Sequence, residues 1–86
     1  MFKTLEELIN VIRQRKVSSA NESYTKKLLD NKKLSVEKVK EEIAELIDSI
    51  KKNSNKVHEA SDVLYHLFVL LEANDIKIED LSLIHI

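Results

Sequence analysis

The chain has no cysteine, no glycine and no proline. Without cysteine it can build no disulfide framework, no zinc-thiolate site and no thiol nucleophile. Without glycine and proline the usual punctuation of tight turns is missing, which argues against a β-sandwich or barrel. The longest purely apolar run is Leu67 to Leu71, far short of the roughly 20 residues that span a bilayer. The opening Met1-Phe-Lys-Thr-Leu-Glu-Glu turns acidic at once and does not read as a secretory signal. A cytoplasmic protein is expected. Nor does one sign of charge dominate: 14 basic and 15 acidic side chains leave a net charge of −1. No overall field favours nucleic acid or an anionic membrane. Only Arg13 and Arg15 are arginines, so phosphate recognition by guanidinium forks is confined to one short stretch.

What remains is an 86-residue chain, 43% hydrophobic and 34% charged, read as a single domain over residues 1–86. A chain this short buries only about 60–65% of its unfolded surface. With no cross-link to help, oligomerisation is the expected supplement, at least to a dimer.

Helical periodicity accounts for nearly all of the sequence. Thr4-Leu5-Glu6-Glu7 has the form of a capping box, and Leu5, Leu8, Ile9 and Ile12 follow as one stripe on a helix over about 4–16. A short polar loop over 17–21 leads to a brief helix over about 22–30, presenting Tyr24 and Leu28. Ser35 is the expected N-cap of a third helix, whose stripe is Val36, Val39, Ile43, Leu46, Ile47 and Ile50. Asn53-Ser54-Asn55 ends that helix and caps the next, over about 56–74. Val57, Ala60, Leu64, Leu67, Phe68 and Leu71 form the fourth stripe, and the second half of that helix is expected to be buried and central. Asn74-Asp75 breaks it, and Ile78 to about Leu83 is expected as a last short helix. The expected fold is an all-α bundle of four to five helices with short connections.

The carboxylates carry the chemical information. Glu41 and Glu45 point away from the apolar stripe of the third helix, with Glu42 on its flank. Glu59 and Asp62 stand one turn apart on the fourth helix, and His66 follows one turn later on the same side. Packed as a hairpin, the two helices offer one pair each, Glu42 with Glu45 and Glu59 with Asp62. A solvated acidic face is the ordinary explanation of such a pattern. Against it, like charges one turn apart cost about 0.2–0.5 kcal/mol per pair. Asp62 also falls between Ala60 and Val63, where its helix becomes apolar and an unpaired carboxylate is expensive. A hard divalent cation removes both costs, and an all-oxygen donor set suits Mg²⁺ or Mn²⁺ better than zinc.

Glu41-Glu42-Ile-Ala-Glu45, then 13 residues, then Glu59-Ala-Ser-Asp62, resembles the EExxE…ExxD signature of the all-α MazG-type nucleoside triphosphate pyrophosphohydrolases. Ser23-Tyr24-Thr25-Lys26-Lys27-Leu28 resembles the SYTxKL segment of the phosphoribosyl-ATP pyrophosphohydrolase family, which acts in histidine biosynthesis. Asp62-Val-Leu-Tyr65-His66-Leu-Phe-Val-Leu-Leu71 is similar to that family's DLLYHLLVLL helix, and Ile78-Glu-Asp-Leu81 to its LEDV. The likeness runs from Leu5 to Leu81 in the family's order and spacing. Two glycines common in the family are replaced by Lys40 and Glu22, and the ending Ser82 to Ile86 lacks a charged helical tail.

The resemblance implies a MazG-like dimer that hydrolyses phosphoribosyl-ATP between the α- and β-phosphates, giving phosphoribosyl-AMP and pyrophosphate. It implies Mg²⁺, with Mn²⁺ as a substitute, held by Glu42, Glu45, Glu59 and Asp62. Glu41 would stand behind these ligands or act as the base that orients water; an ordinary solvated residue is the alternative. Lys27 would neutralise the departing pyrophosphate, with Lys26 as a spare turned to solvent. Lys38 could reach a phosphate or merely relieve Glu42. Arg13 could contact phosphate or serve its own helix C-terminus. Ser23, Tyr24 and Thr25 could bond substrate, although core packing suits Tyr24 better. His66 could bind substrate or be a hydrogen-bonded core histidine. The competing functions are a general (deoxy)nucleoside triphosphate pyrophosphohydrolase and a non-catalytic helical dimerisation module.

Overall fold

A computed structural model describes residues 2–17 and 24–81, with side chains over 6–14 and over 24–81 except Ile78. It is all-α among those residues. Helices α1 (Phe2–Val17), α2 (Tyr24–Asp30), α3 (Lys32–Lys52) and α4 (Lys56–Ala73) are followed by a single 3₁₀ turn, Ile78–Asp80. No helix among the described residues is long and apolar enough to cross a membrane.

The expected elements are present, with shifted starts. Helix α1 already runs at Phe2, so Thr4 lies inside it and does not cap it. Nothing at positions 2 and 3 breaks a helix. Asn31, not Ser35, caps α3: its side-chain oxygen accepts the Leu34 amide at 3.0 Å. Asparagine is as good an N-cap as serine and comes a full turn earlier, which leaves Ser35 in the helix interior at 1% exposure. The last expected helix shrinks to the 3₁₀ turn, and residues 82–86 lie outside the described part.

The turns show how a chain without glycine closes its helices. Asn53 takes the left-handed conformation at φ 55°. Its amide reaches the Ile50 carbonyl at 3.2 Å and the Ser54 amide reaches that of Ser49 at 3.0 Å, a Schellman closure. Asp75 repeats the arrangement after α4 at φ 59°, with the Ile76 amide on the Leu71 carbonyl at 2.9 Å. Asparagine and aspartate are the non-glycine residues that tolerate this region best. The three-residue link Asn53–Asn55 folds α3 and α4 into an antiparallel hairpin, the most extensive helix pairing in the molecule.

The core gathers Ile12, Leu28, Leu29, Val69 and Ala73, with Leu8, Tyr65 and Phe68 packed around it. It lies where α1, α2 and the second half of α4 meet, as the increasingly apolar sequence of α4 leads one to expect. The stripes of α3 and α4, however, do not face each other. Ser35, Val39 and Ser49 are the buried positions of α3, and Glu42 lies on the same line, while Ile43, Ile47 and Ile50 are 42–57% exposed. On α4 the buried side is His66, Val69 and Ala73, with Val57 at 82% and Leu64 at 43% exposure on the other. On α3 a mostly polar line, Ser35, Glu42 and Ser49 with Val39 among them, thus turns inward while isoleucines stay outside; the inward side of α4 is apolar apart from His66.

Candidate active site

That polar line carries the carboxylates. Carboxylate oxygens of Glu42 and Glu45 on α3 and of Glu59 on α4 lie within 4.8 Å of one another. Glu59 and Asp62 form a second such group with His58, whose Nε2 stands 3.4 Å from Asp62. Glu59 therefore links the two groups. Oε2 of Glu42 and Oε2 of Glu59 are both sealed from solvent with no hydrogen-bond partner among the described residues. An orphaned carboxylate oxygen in a buried position is costly. Burial pushes the Glu42 carboxyl above the usual range, and the neighbouring Glu45 adds to the shift more than Asp62 does; His66 pulls it back. A shallow depression of about 240 Å³ opens beside Glu45 and Glu59 at the α3–α4 turn.

The other sequence-derived candidates distribute around this cluster unevenly. Glu41 is exposed and bonded to Lys38, whose Nζ lies 3.3 Å from it. That contact, more than any other, raises the Lys38 ammonium above the ordinary lysine value. Helix α2 packs over both α3 and α4. Its Tyr24 hydroxyl, pushed upward chiefly by burial, lies within electrostatic reach of Lys38, Tyr65, Glu42 and Glu41. Thr25 Oγ1 is hydrogen-bonded to the Tyr65 hydroxyl. Lys26 is the half-buried member of its pair rather than the solvent-facing one, drawn along its helix to Asp30 at 3.3 Å. Lys27 is exposed and makes no ion pair among the described residues. Ser23 lies outside the described residues.

Arg13 stands apart. Its Nε donates to Glu72 at 2.9 Å, and its Nη1 and Nη2 fork onto Glu79 at 2.9 and 2.7 Å. A larger depression, about 380 Å³, lies here between Arg13, Glu72, Asp75, Lys77 and Glu79. Its guanidinium is already engaged by two carboxylates, so this larger hollow offers an anion no free fork. Tyr65 and His58 are not among the sequence-derived site residues. Tyr65 as the partner of Thr25 has no sequence signal, because the bond joins separate helices. His58 beside Asp62 has one, the i, i+4 spacing.

The pattern of the phosphoribosyl-ATP pyrophosphohydrolase family matches residues 5–83. The chain belongs to the phosphoribosyl-ATP pyrophosphohydrolase family. Three curated relatives bear the name phosphoribosyl-ATP pyrophosphatase. That of Methanococcoides burtonii is 41% identical over 86 residues, covering 94% of this chain and 87% of the relative. That of Haloarcula marismortui is 38% identical over 82 residues, covering 90% and 84%. That of Clostridium novyi is 40% identical over 83 residues, covering 91% and 74%. Within the phosphoribosyl-ATP pyrophosphohydrolase match fall both helices of the carboxylate cluster, α2 with its Tyr24 and Thr25, and the Arg13–Glu79 contact.

Proposed function

We propose that this protein hydrolyses phosphoribosyl-ATP to phosphoribosyl-AMP and pyrophosphate, as a cytoplasmic enzyme of histidine biosynthesis. The observation that carries the reading is the carboxylate cluster, with two buried oxygens that no donor among the described residues satisfies. Such a cluster repels a triphosphate unless a cation stands between them. Glu42, Glu45, Glu59 and Asp62 would hold Mg²⁺, or Mn²⁺ in its place; their all-oxygen donor set fits a hard cation. When bound, the ion supplies Lewis acidity to phosphate oxygens and to the attacking water.

The chain's own residues supply the rest. Water attacks phosphorus, the bridging P–O bond between the α- and β-phosphates breaks, and pyrophosphate leaves with the bonding pair. Glu41, exposed and next to Glu42 in the sequence of α3, takes the proton from the water, with Lys38 holding it in place. Lys27, a cation with no carboxylate partner among the described residues, meets the charge that gathers on the pyrophosphate. Thr25, in the first turn of α2, bonds the substrate, and Ser23 is assigned to the same role on its place in the sequence alone.

The same reading includes a second copy. Val36, Ile43, Ile47 and Ile50 along one face of α3, with Val57 and Leu64 on α4, expose large apolar side chains. The radius of gyration of 13.7 Å also exceeds the value of about 12 Å typical of a compact domain this long. A homodimer through these stripes buries them. The substitution Ile47→Glu should shift sedimentation from dimer to monomer; an unchanged sedimentation coefficient would remove this face from the assembly.

The decisive experiment is pyrophosphate release with Mg²⁺ from phosphoribosyl-ATP, beside ATP and a panel of deoxynucleoside triphosphates. Preference for phosphoribosyl-ATP supports the proposed reaction. Preference for free nucleotides assigns the site to general nucleotide hydrolysis, and no release from any substrate would sink the enzymatic reading.

A further inference from the structure

Helix α2 is seven residues long, too short to hold its place by helix propensity. It buries Leu28 and Leu29, and its first turn is fixed by polar contacts instead. The Tyr24 hydroxyl lies 2.9 Å from His66 Nε2. His66 Nδ1 lies 2.8 Å from the backbone carbonyl oxygen of Asp62. A carbonyl only accepts, so Nδ1 carries the proton in that bond. In the neutral ring Nε2 is then an acceptor, and the Tyr24 hydroxyl must donate to it. His66 is 7% exposed. Tyr65 closes the arrangement: it lies nearly parallel to Tyr24, with ring centroids 6.4 Å apart, and edge-on to His66 at 5.0 Å.

On the proposed function above, we infer that His66 is a positioning residue: through Tyr24 it sets where α2, and with it Lys27, stands relative to the carboxylates of α3 and α4. Both ring nitrogens of His66 are already committed, one to the backbone of Asp62 and one to Tyr24, so the ring has no free edge for substrate. The bond to Asp62 anchors the ring on α4 at the level of the cluster. The bond to Tyr24 carries that position to α2. Lys27 follows Tyr24 by three residues on the same short helix, so a shift of its first turn moves the ammonium with it.

The test combines kinetics with a spectroscopic signature. Tyr24→Phe deletes the hydroxyl while keeping the ring, and His66→Gln keeps an amide near the Nε2 position but loses the Nδ1 bond. Each should lower kcat/KM by roughly tenfold, the equivalent of about one net buried hydrogen bond. The double variant should lose no more than the worse single one, and Mn²⁺ affinity should stay within about twofold, because the ligands themselves are untouched. Imidazole nitrogen NMR of the wild type should show His66 as the Nδ1–H tautomer. Several results would overturn the inference. If the losses multiply in the double variant, Tyr24 touches substrate independently. If the variants lose thermal stability at unchanged kcat/KM, the contact is merely structural. An Nε2–H tautomer would leave Nδ1 without a proton to give the Asp62 carbonyl, so the ring would not be anchored as inferred. Failure of the wild type to release pyrophosphate would instead be failure of the parent reading, and the two cases are told apart by that single control.

Discussion

Glu79 and Glu42 are the same side chain in opposite electrostatic settings. Glu79 is exposed, yet the Arg13 guanidinium holds its carboxyl down at about 2. Glu42 is half-buried among Glu45, Glu59 and Asp62, and its carboxyl is held above the usual range. Near the 3₁₀ turn Glu72 and Glu79 share the Arg13 guanidinium, and the result is a tie between α1, α4 and the C-terminal segment. Between α3 and α4 no lysine or arginine pairs with Glu42, Glu45 or Glu59 among the described residues, and Asp62 meets only His58, although lysine is plentiful in the chain. Folding alone does not ask for that omission: one lysine in the polar line would satisfy Glu42 and Glu59. The difference separates carboxylates that hold the fold from carboxylates that await something else.

The sharpest way to break the contrast is to neutralise the uncompensated set. Glu42→Gln or Asp62→Asn should lower pyrophosphate release by about 10³-fold, the scale seen when one main electrostatic contributor is removed. Without metal, Glu42→Gln should melt at the same temperature as wild type or higher, because it removes repulsion and a buried charge. Millimolar Mg²⁺ or Mn²⁺ should stabilise the wild type by mass action. At 100 times Kd this is about 2.7 kcal/mol, or on the order of 10 °C for a chain of this size. Glu42→Gln should lose most of that gain. Substantial turnover in both variants would detach the cluster from catalysis.

The reverse arrangement, a cation without a carboxylate, is tested by Lys27→Met. Loss of one charge-assisted contact to phosphate should lower kcat/KM by about 10- to 100-fold, with metal affinity unchanged. Lys26→Met should cost far less, since Lys26 is already bridged to Asp30. Equal losses at both positions would mean that net charge near the site matters and that the placement of Lys27 does not.

The identities of the helices and the pairing of carboxylates were legible in the sequence, because both depend on spacing along one helix. Glu42/Glu45 and Glu59/Asp62 stand one turn apart whatever the helices pack against. The direction of packing was not legible. The widest apolar stripe names the face that avoids water, but not which neighbour covers it. Ile43, Ile47 and Ile50 were therefore expected in the core, where Ser35, Ser49 and Glu42 are found along the inner line. Ser35 illustrates a local failure of the same kind. It has good capping chemistry, and Asn31 satisfies the helix end one turn earlier. The fate of Arg13 was invisible for a third reason: Glu72 and Glu79 are 59 and 66 residues away, and only the tertiary fold brings them together.

The smallest effect belongs to that compensated region, and its pH dependence runs in a definite direction. The Glu79 carboxyl is lowered from 4.5 to about 2, first by the Arg13 fork. The folded state therefore holds its proton less tightly than the unfolded chain. The contribution to stability is full above pH 4.5 and is lost progressively as pH falls from there toward 2. Glu72, Asp75 and Lys77 share the hollow, and Glu72 shares the same guanidinium. Glu79→Gln should lower the melting temperature near neutrality by no more than a few degrees, since the pair is exposed and screened. Below pH 3 its melting temperature should converge on that of the wild type. Added salt should shrink the gap at neutral pH, and pyrophosphate release should be unchanged. A variant that loses activity in proportion to stability would join the two regions that the electrostatics keep apart, and would make the C-terminal tie part of the catalytic apparatus.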